Sequence, residues 1–377
     1  MKYREFGKTG VNISTVSFGC MRFPEFEENG KWFVDQEKVD EMIRYAYDNG
    51  INYFDTAPYY CNKNSEAALG KAVKGFRDKI NISTKLPTEV IKEPGDFRKT
   101  LEKSLKNLDT DYVDFYHFWG INRGSFDNII MKYGLLEEAQ KCIEAGLMRH
   151  MSFSFHDEPM SIKHIIDVSE ANGTPMESML IQYNLLDRSN EEMITYAHNH
   201  GLGTIAMGPV GGGRLAAPTD LYAKLTGGKS IATYELAFKF VLGNPNLSAA
   251  LSGMQTLDMV KANVAIGASD DHLTEAEWKQ LGDSLEELKK FSELYCTGCK
   301  YCQPCPAGIE IPKIFEMYTN YNVYGLVDHA KGSFEKYLKD GGKTVEVCKD
   351  CGFCERKCPQ KLQVRDLLKK VEVALAK

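Results

Sequence analysis

No stretch of the 377 residues approaches the ~20 consecutive apolar positions that a bilayer-spanning helix needs, so no membrane partner is expected. The first residues, Met1-Lys2-Tyr3-Arg4, lack the apolar core of a secretory signal, which argues against the oxidising compartment that disulfides require. Excess positive charge is missing as well. A formal net charge of -6 argues against a nucleic-acid surface. There is no low-complexity segment, and no Gly-x-Gly-x-x-Gly follows the first apolar run, as an open, doubly wound sheet would favour. What remains is ordinary for a soluble, cytoplasmic globular protein, with 43% hydrophobic and 26% charged residues. The length fits a barrel of about 250 residues plus a small second module.

Cysteine is the exception to this plainness. Eight of the 11 cysteines fall in two runs, Cys296-x2-Cys299-x2-Cys302-x2-Cys305-Pro306 and Cys348-x2-Cys351-x2-Cys354-x3-Cys358-Pro359. Thiolates at this spacing converge on a soft metal centre, and a closing Cys-Pro that reaches to a neighbouring centre resembles the bacterial two-cluster ferredoxin pattern. The second run matches that spacing fully; the first has one residue fewer before its fourth cysteine. The expected ligand sets are Cys296, Cys299, Cys302 and Cys358 for one [4Fe-4S] cluster, and Cys348, Cys351, Cys354 and Cys305 for the other. The competing assignment is a pair of zinc sites. A zinc ribbon needs only two Cys-x2-Cys pairs, and two uninterrupted runs of four overshoot it.

Upstream, apolar and amphipathic runs alternate. Strands are expected at Ile13-Gly19, Tyr53-Thr56, Ile80-Lys85, Val113-Trp119, His150-Phe155, Met179-Leu185, Gly203-Gly208 and Ala249-Gly253. Helical periodicity lies between them at Gln36-Asp48, Ser65-Lys74, Phe97-Asn107, Asn128-Ala145, Met160-Ala171, Glu191-His200, Ile231-Leu242 and Leu257-Ile266. Eight strand-helix units, several with strands apolar throughout, predict an α/β fold of the closed (β/α)8 TIM barrel type over residues 1–270. Thr274 and Glu277 form a capping box that opens a linking helix over 271–295. Residues 296–377 then make a small, mainly α-helical, ferredoxin-like two-cluster domain. Phe315, Tyr318, Tyr321, Tyr324, Phe334 and Tyr337 are expected to pack within it.

Barrels of this kind keep their chemistry at the carboxyl ends of the strands. Asp55 ends the second strand and Lys85 the third, and a buried lysine calls for a mate such as Asp55. Tyr60 lies five residues past Asp55. A phenol with a free pKa near ~10 becomes a usable general acid when an ammonium lies beside it. The alternative is a structural ion pair with Tyr60 merely packed. Gly208-Pro209-Val210-Gly211-Gly212-Gly213-Arg214 follows the seventh strand and offers backbone N–H groups to a phosphate, whether of NAD(P) or of FMN. Its other reading is a surface loop. Met21 and Arg22, after the first strand, face the mouth and touch the cofactor. Cys20, Cys61 and Cys142 read as packing residues, without an activating cation.

The segments Gly7-Lys8-Thr9-Gly10, Phe54-Asp55-Thr56-Ala57-x-x-Tyr60, Ser65-Glu66-x-x-Leu69-Gly70, Ser83-Thr84-Lys85 and Asp111-Tyr112-Val113-Asp114-Phe115-Tyr116 resemble the aldo-keto reductase family over most of residues 1–270. With the cysteine tail, the chain resembles the branch carrying a ferredoxin-like module. The resemblance implies an Asp, Tyr, Lys and His tetrad that reduces a carbonyl with hydride from a nicotinamide. Asp55, Tyr60 and Lys85 match it. Trp119 stands at the expected His position, facing the cofactor, and His117 lies two residues earlier, roughly 6 to 7 Å deeper along the strand. His117 is the remaining candidate for the fourth catalytic member, through water or as a buried hydrogen-bonding group, against the alternative of a core histidine satisfied by backbone. Ser154 and Gln182 match the usual carboxamide contacts, whereas Phe155 replaces a frequent Asn. In the last loop Gly253, Gln255 and Asn263 fit the family. Gly253 and Met259, however, occupy places where relatives carry basic residues for a 2′-phosphate, so NADPH is not favoured over NADH.

The resemblance thus implies an oxidoreductase with two [4Fe-4S] clusters and NAD(P)H or FMN, acting on a small carbonyl or conjugated carbonyl compound. An external electron donor or acceptor protein is a further partner. Two readings compete: a non-catalytic redox-sensing barrel, and an electron-transfer protein feeding a separate enzyme.

Overall fold

The computed structural model describes residues 1–185, 187–213, 215, 232–271, 273–274, 276–277, 281, 296, 298–322 and 327–376. Within that range the chain forms two compact units. The first comprises Met1–Asn184, Arg188–Pro209 and Phe238–His272; the second gathers Leu185–Asp187, Val210–Ala237 and Leu273–Lys377.

In the first unit eight parallel strands close into a barrel: Val16–Gly19, Tyr53–Asp55, Asn81–Pro87, Val113–Ile121, Met148–Phe155, Ser178–Gln182, Gly203–Met207 and Ala249–Gly253. Closure is made by the last strand pairing with the first, Gly253 opposite Gly19. Strands with both faces covered tolerate no alternation, and Ser178–Gln182 is buried at every position. Helices Gln36–Asp48 and Met160–Ala171 begin and end where their periodicity predicts. Asp35 caps the first of these by accepting the Lys38 N–H.

Three expectations are corrected. The run Ile13-Gly19 is two strands: Asn12–Ser14 pairs antiparallel with Tyr3–Glu5, and only Val16–Gly19 enters the barrel. The helix expected over Asn128-Ala145 breaks at Gly134, whose φ of +60° suits glycine and ends the preceding turn. The third and fourth strands run on to Pro87 and Ile121, so Lys85 and Trp119 each stand two residues inside a strand end.

The amino-terminal hairpin supplies Phe6 to an apolar cluster inside the barrel. The Phe6 ring meets Phe115 edge-on at 4.9 Å and Tyr53 at 5.7 Å. Its seat exists because residue 203 is glycine: a Cβ there would stand 2.2 Å from the Phe6 ring. This packing leaves the strands' opposite ends, at Asp55, Pro87 and Ile121, to carry the polar site.

The second unit has its own core. Helices Ile311–Asn322, Val327–Lys339 and Val364–Leu375 bury Phe315, Phe334, Tyr337, Leu367, Leu368 and Val371, with Cys296, Cys302, Cys305, Cys348 and Cys358 packed against them. Tyr318 and Tyr321 stack at 6.1 Å. Tyr324 and nearly all of 278–295 lie outside the described residues, although the Thr274–Glu277 capping contacts are present at 2.9 and 3.3 Å.

Candidate functional site

Asp55 and Lys85 meet inside the barrel, each 1% exposed. Lys85 Nζ donates to both Asp55 oxygens at 2.6 Å and to the Thr56 carbonyl at 2.8 Å, while Ser83 Oγ donates to Asp55 Oδ1 at 2.7 Å. All three ammonium protons are thus engaged. Burial pulls the Lys85 pKa below the usual lysine range, against the opposing pull of Asp55. The half-buried Tyr60 ring lies over this ammonium, 4.8 Å from Nζ to ring centroid. The Lys85 charge therefore lies against the Tyr60 ring face.

Tyr60 opens a turn with unusual backbone. Cys61, Asn62 and Lys63 have φ of +49°, +50° and +73°. Left-handed conformation costs a non-glycine residue about 1–2 kcal/mol, so three in succession need outside support. That support comes from the hairpin of Glu25–Glu28 and Lys31–Val34, which sequence reading missed. Asn62 Nδ2 donates to Glu25 Oε1 at 2.9 Å, and Asn64 Nδ2 to the Trp32 carbonyl at 3.0 Å. The Cys61 thiol, pushed up to about 12 by burial, reaches the Cys20 and Met21 carbonyls at 3.4 and 3.5 Å. Cys20 and Cys142 are likewise raised by burial, so none of the three is a ready thiolate.

Trp119 is half-buried near the end of the fourth strand, edge-on to Tyr60 at 5.7 Å and tilted against Tyr59 at 5.3 Å. His117 lies two residues deeper, fully buried, with Nε2 3.3 Å from the Tyr53 hydroxyl. The Phe153 backbone approaches its ring, but Nδ1 has no hydrogen bond of good geometry. Burial first, and Lys85 second, hold its pKa well below the ordinary imidazole value. A second histidine, His156, follows the fifth strand; its ring lies beside Gly120, and burial lowers its pKa to about 4. Sequence reading passed it over because nothing in its local pattern marks it.

The other expected cofactor residues divide by place. Ser154 Oγ accepts the Gly120 N–H at 2.7 Å and keeps its own proton to donate. Gln182 ends the sixth strand, 7% exposed, and its carbonyl accepts from Asn190. Arg22 lies along Gly253, where a Cβ would come within 3.2 Å of its side chain, and Met21 beside it is 37% exposed. Gln255 is exposed, whereas Asn263 is turned inward, its amide donating to Ser252 Oγ at 2.8 Å. Gly208 has φ of +61°, and its carbonyl accepts from Asn184. Gly211, Gly212 and Gly213 form a tight turn within the second unit; Arg214 lies outside the described residues.

The two cysteine runs share a backbone device. Two and four residues past the first cysteine of each, φ is positive: Gly298 (+68°) and Lys300 (+64°), then Asp350 (+50°) and Gly352 (+65°). Such alternation turns successive N–H groups to one side, and the Asp350 N–H points to Cys348 Sγ at 3.4 Å. The Cys302 thiol is pushed up to about 12 by burial first, then by Cys296, Cys299 and Cys358 beside it. Cys354 is raised by burial and Glu355, with Cys305 also acting on it. Cys305, Cys348, Cys351 and Cys354 line one pocket. Among the described residues, no three His, Cys, Asp or Glu side chains clasp a single ion. Four of the cysteines thus line one space instead of converging on a point.

The chain matches the aldo/keto reductase family over residues 15–286 and a 4Fe-4S dicluster domain over residues 295–362. It belongs to the aldo/keto reductase family. The family's barrel and the dicluster domain are joined in one polypeptide, and the two cysteine sets imply two clusters. Over 312 residues the chain is 28% identical to L-galactose dehydrogenase of Arabidopsis thaliana, covering 74% of this chain and 93% of the relative. The aldo-keto reductase YhdN of Bacillus subtilis is 28% identical over 286 residues, with 72% and 80% covered. Among solved structures, the holo form of an aldo-keto reductase from Bacillus halodurans superposes with a TM-score of 0.64 at 25% identity, covering 75% of this chain and 96% of that one. No helix among the described residues is long and apolar enough to cross a membrane.

Proposed function

We propose that this aldo/keto reductase reduces a small carbonyl or conjugated carbonyl compound, with Tyr60 handing its phenolic proton to the substrate oxygen. The observation carrying this reading is the buried Lys85–Asp55 pair beneath the Tyr60 ring. A fixed ammonium favours the phenolate left after proton transfer, and Asp55 with Ser83 holds that ammonium in place. The name of one relative, a sugar dehydrogenase, adds the reverse direction by the same proton path.

A bound nicotinamide supplies or accepts hydride, and bound clusters transfer single electrons. In this reading Ser154 and Gln182 hold the nicotinamide carboxamide, with Arg22, Gly253, Gln255 and Asn263 toward the adenosine half. Gly208, Gly211, Gly212, Gly213 and Arg214 remain candidates for a phosphate. His117 orders the interior through Tyr53 and does not deliver a proton to substrate. The eight cysteines hold the clusters in the two sets named above.

One observation favours a second version, in which FMN takes the place of the nicotinamide. Trp119 joins Tyr59 and Tyr60 in an aromatic wall that suits stacking on a flavin ring. Titrating anaerobic holoprotein with NADH, NADPH, FMN and FAD separates the two. Quenching of Trp119 fluorescence, absent in Trp119→Phe, is expected with at least one of them. No response to any of the four would overturn the reading.

A further inference from the structure

The second cysteine run carries a charge pattern that neither proton transfer nor metal ligation uses. From Cys348 to Arg365 stand five cations, Lys349, Arg356, Lys357, Lys361 and Arg365, against two carboxylates, in a chain of net charge -6. Both carboxylates are bound by one guanidinium: Arg365 meets Asp350 at 2.7 Å and Glu355 at 2.6 Å. Lys349, Arg356 and Lys357 are exposed and form no ion pair among the described residues. Two of them stand at the cysteine pocket. Arg356 Nη1 donates to the Cys351 carbonyl at 2.9 Å, Lys357 follows it in the helix Phe353–Lys357, and Lys349 and Arg365 line the cysteine pocket. Cys351 is the exposed member of the eight cysteines. Between Cys296 and Cys305, by contrast, Lys300 is the only charged residue.

We propose that this cationic collar is the docking surface for a small acidic one-electron carrier protein. The proposal rests on reading the cysteine module as a redox-active iron-sulfur site. Charges farther than about 10 Å are screened at 0.1 M salt, so a carrier arriving at Cys351 responds mainly to the charges around it, where Glu346 and Asp366, the latter paired with Lys369, stand just outside this run. Opposite patches then steer encounter and fix orientation. Each encounter moves one electron from carrier to module, with no bond made or broken and no proton transferred.

The test mixes anaerobic holoprotein with a dithionite-reduced flavodoxin of net negative charge and follows bleaching of the iron-sulfur absorbance at about 50 and about 500 mM salt. The second-order rate is expected to fall about tenfold or more at high salt. In Lys349→Glu/Lys357→Glu it falls about tenfold at low salt and loses most of its salt dependence. Dithionite alone, which needs no docking surface, bleaches wild type and variant equally. Lys357→Glu, outside the pocket lining, keeps the test open if the double variant loses iron. Flavodoxin rates indifferent to salt and to both variants, alongside normal bleaching by dithionite, would overturn the docking surface alone. Iron-replete protein that dithionite cannot bleach would sink the redox reading and the docking proposal with it.

Discussion

The barrel site and the cysteine module solve opposite problems. In the barrel, every ammonium proton of Lys85 and one oxygen of Asp55 beyond the ion pair are satisfied by the protein itself. The site is finished before any ligand arrives. In the module, half-buried thiols pack against the core of three helices and line a space that metal would complete. A preorganised site tolerates loss of its ligand, whereas a module whose core ends in sulfur does not.

The largest expected effect follows from that contrast. Stripping iron with a chelator under air should abolish slow hydrogen exchange in Ile311–Asn322 and Val364–Leu375 while leaving the barrel strands protected. Equal loss of protection in both units would erase the distinction. Next, Lys85→Met leaves Asp55 charged and unpaired in the barrel interior, and a destabilisation of about 3–5 kcal/mol is expected in denaturant melts. Lys85→Met/Asp55→Leu should recover much of it; no recovery would mean the pair is not the cause.

Acidification should act on the barrel through His117. Its pKa lies well below the ordinary value near 6.5, so folded and unfolded chains are both neutral above that pH. Below it the unfolded chain takes up a proton that the folded chain refuses. Stability then falls with pH, by up to about 1.4 kcal/mol per pH unit from this group, until the folded pKa is reached. His117→Gln should flatten the decline between pH 6.5 and 5, read from denaturation midpoints; an unchanged slope would place the acid sensitivity elsewhere.

The smallest effect concerns the strained turn. Glu25→Ala removes the acceptor for Asn62, and Asn64→Ala the tie to Trp32. Each should lower turnover several-fold by loosening Tyr60, with stability changed by no more than about 1 kcal/mol. Unaltered turnover in both would show that the turn holds itself.

How much of this was legible in the sequence differs between the regions for the same physical reasons. Strand-helix alternation and the cysteine spacing are local patterns, and they carried through to the closed barrel and to the two cysteine sets of the dicluster domain. Lys85 and Asp55 stood out because charge is rare in strands otherwise buried. The depth of His117 followed from counting two residues along a strand. Nothing local announced the left-handed run at Cys61, Asn62 and Lys63, which contains no glycine and depends on a hairpin about 30 residues earlier. That hairpin escaped notice because its aromatics, Phe26, Trp32 and Phe33, are exposed and mark no buried face. In the cysteine runs, Gly298 and Gly352 hinted at positive φ, while Lys300 and Asp350 did not.

The division of labour between the two regions is tested most directly in a single variant, Tyr60→Phe, purified anaerobically and assayed for carbonyl-dependent oxidation of whichever reduced cofactor binds. The account predicts a full complement of iron and acid-labile sulfide together with turnover reduced by about 10²–10⁴-fold. Wild-type turnover in that iron-replete variant would contradict it.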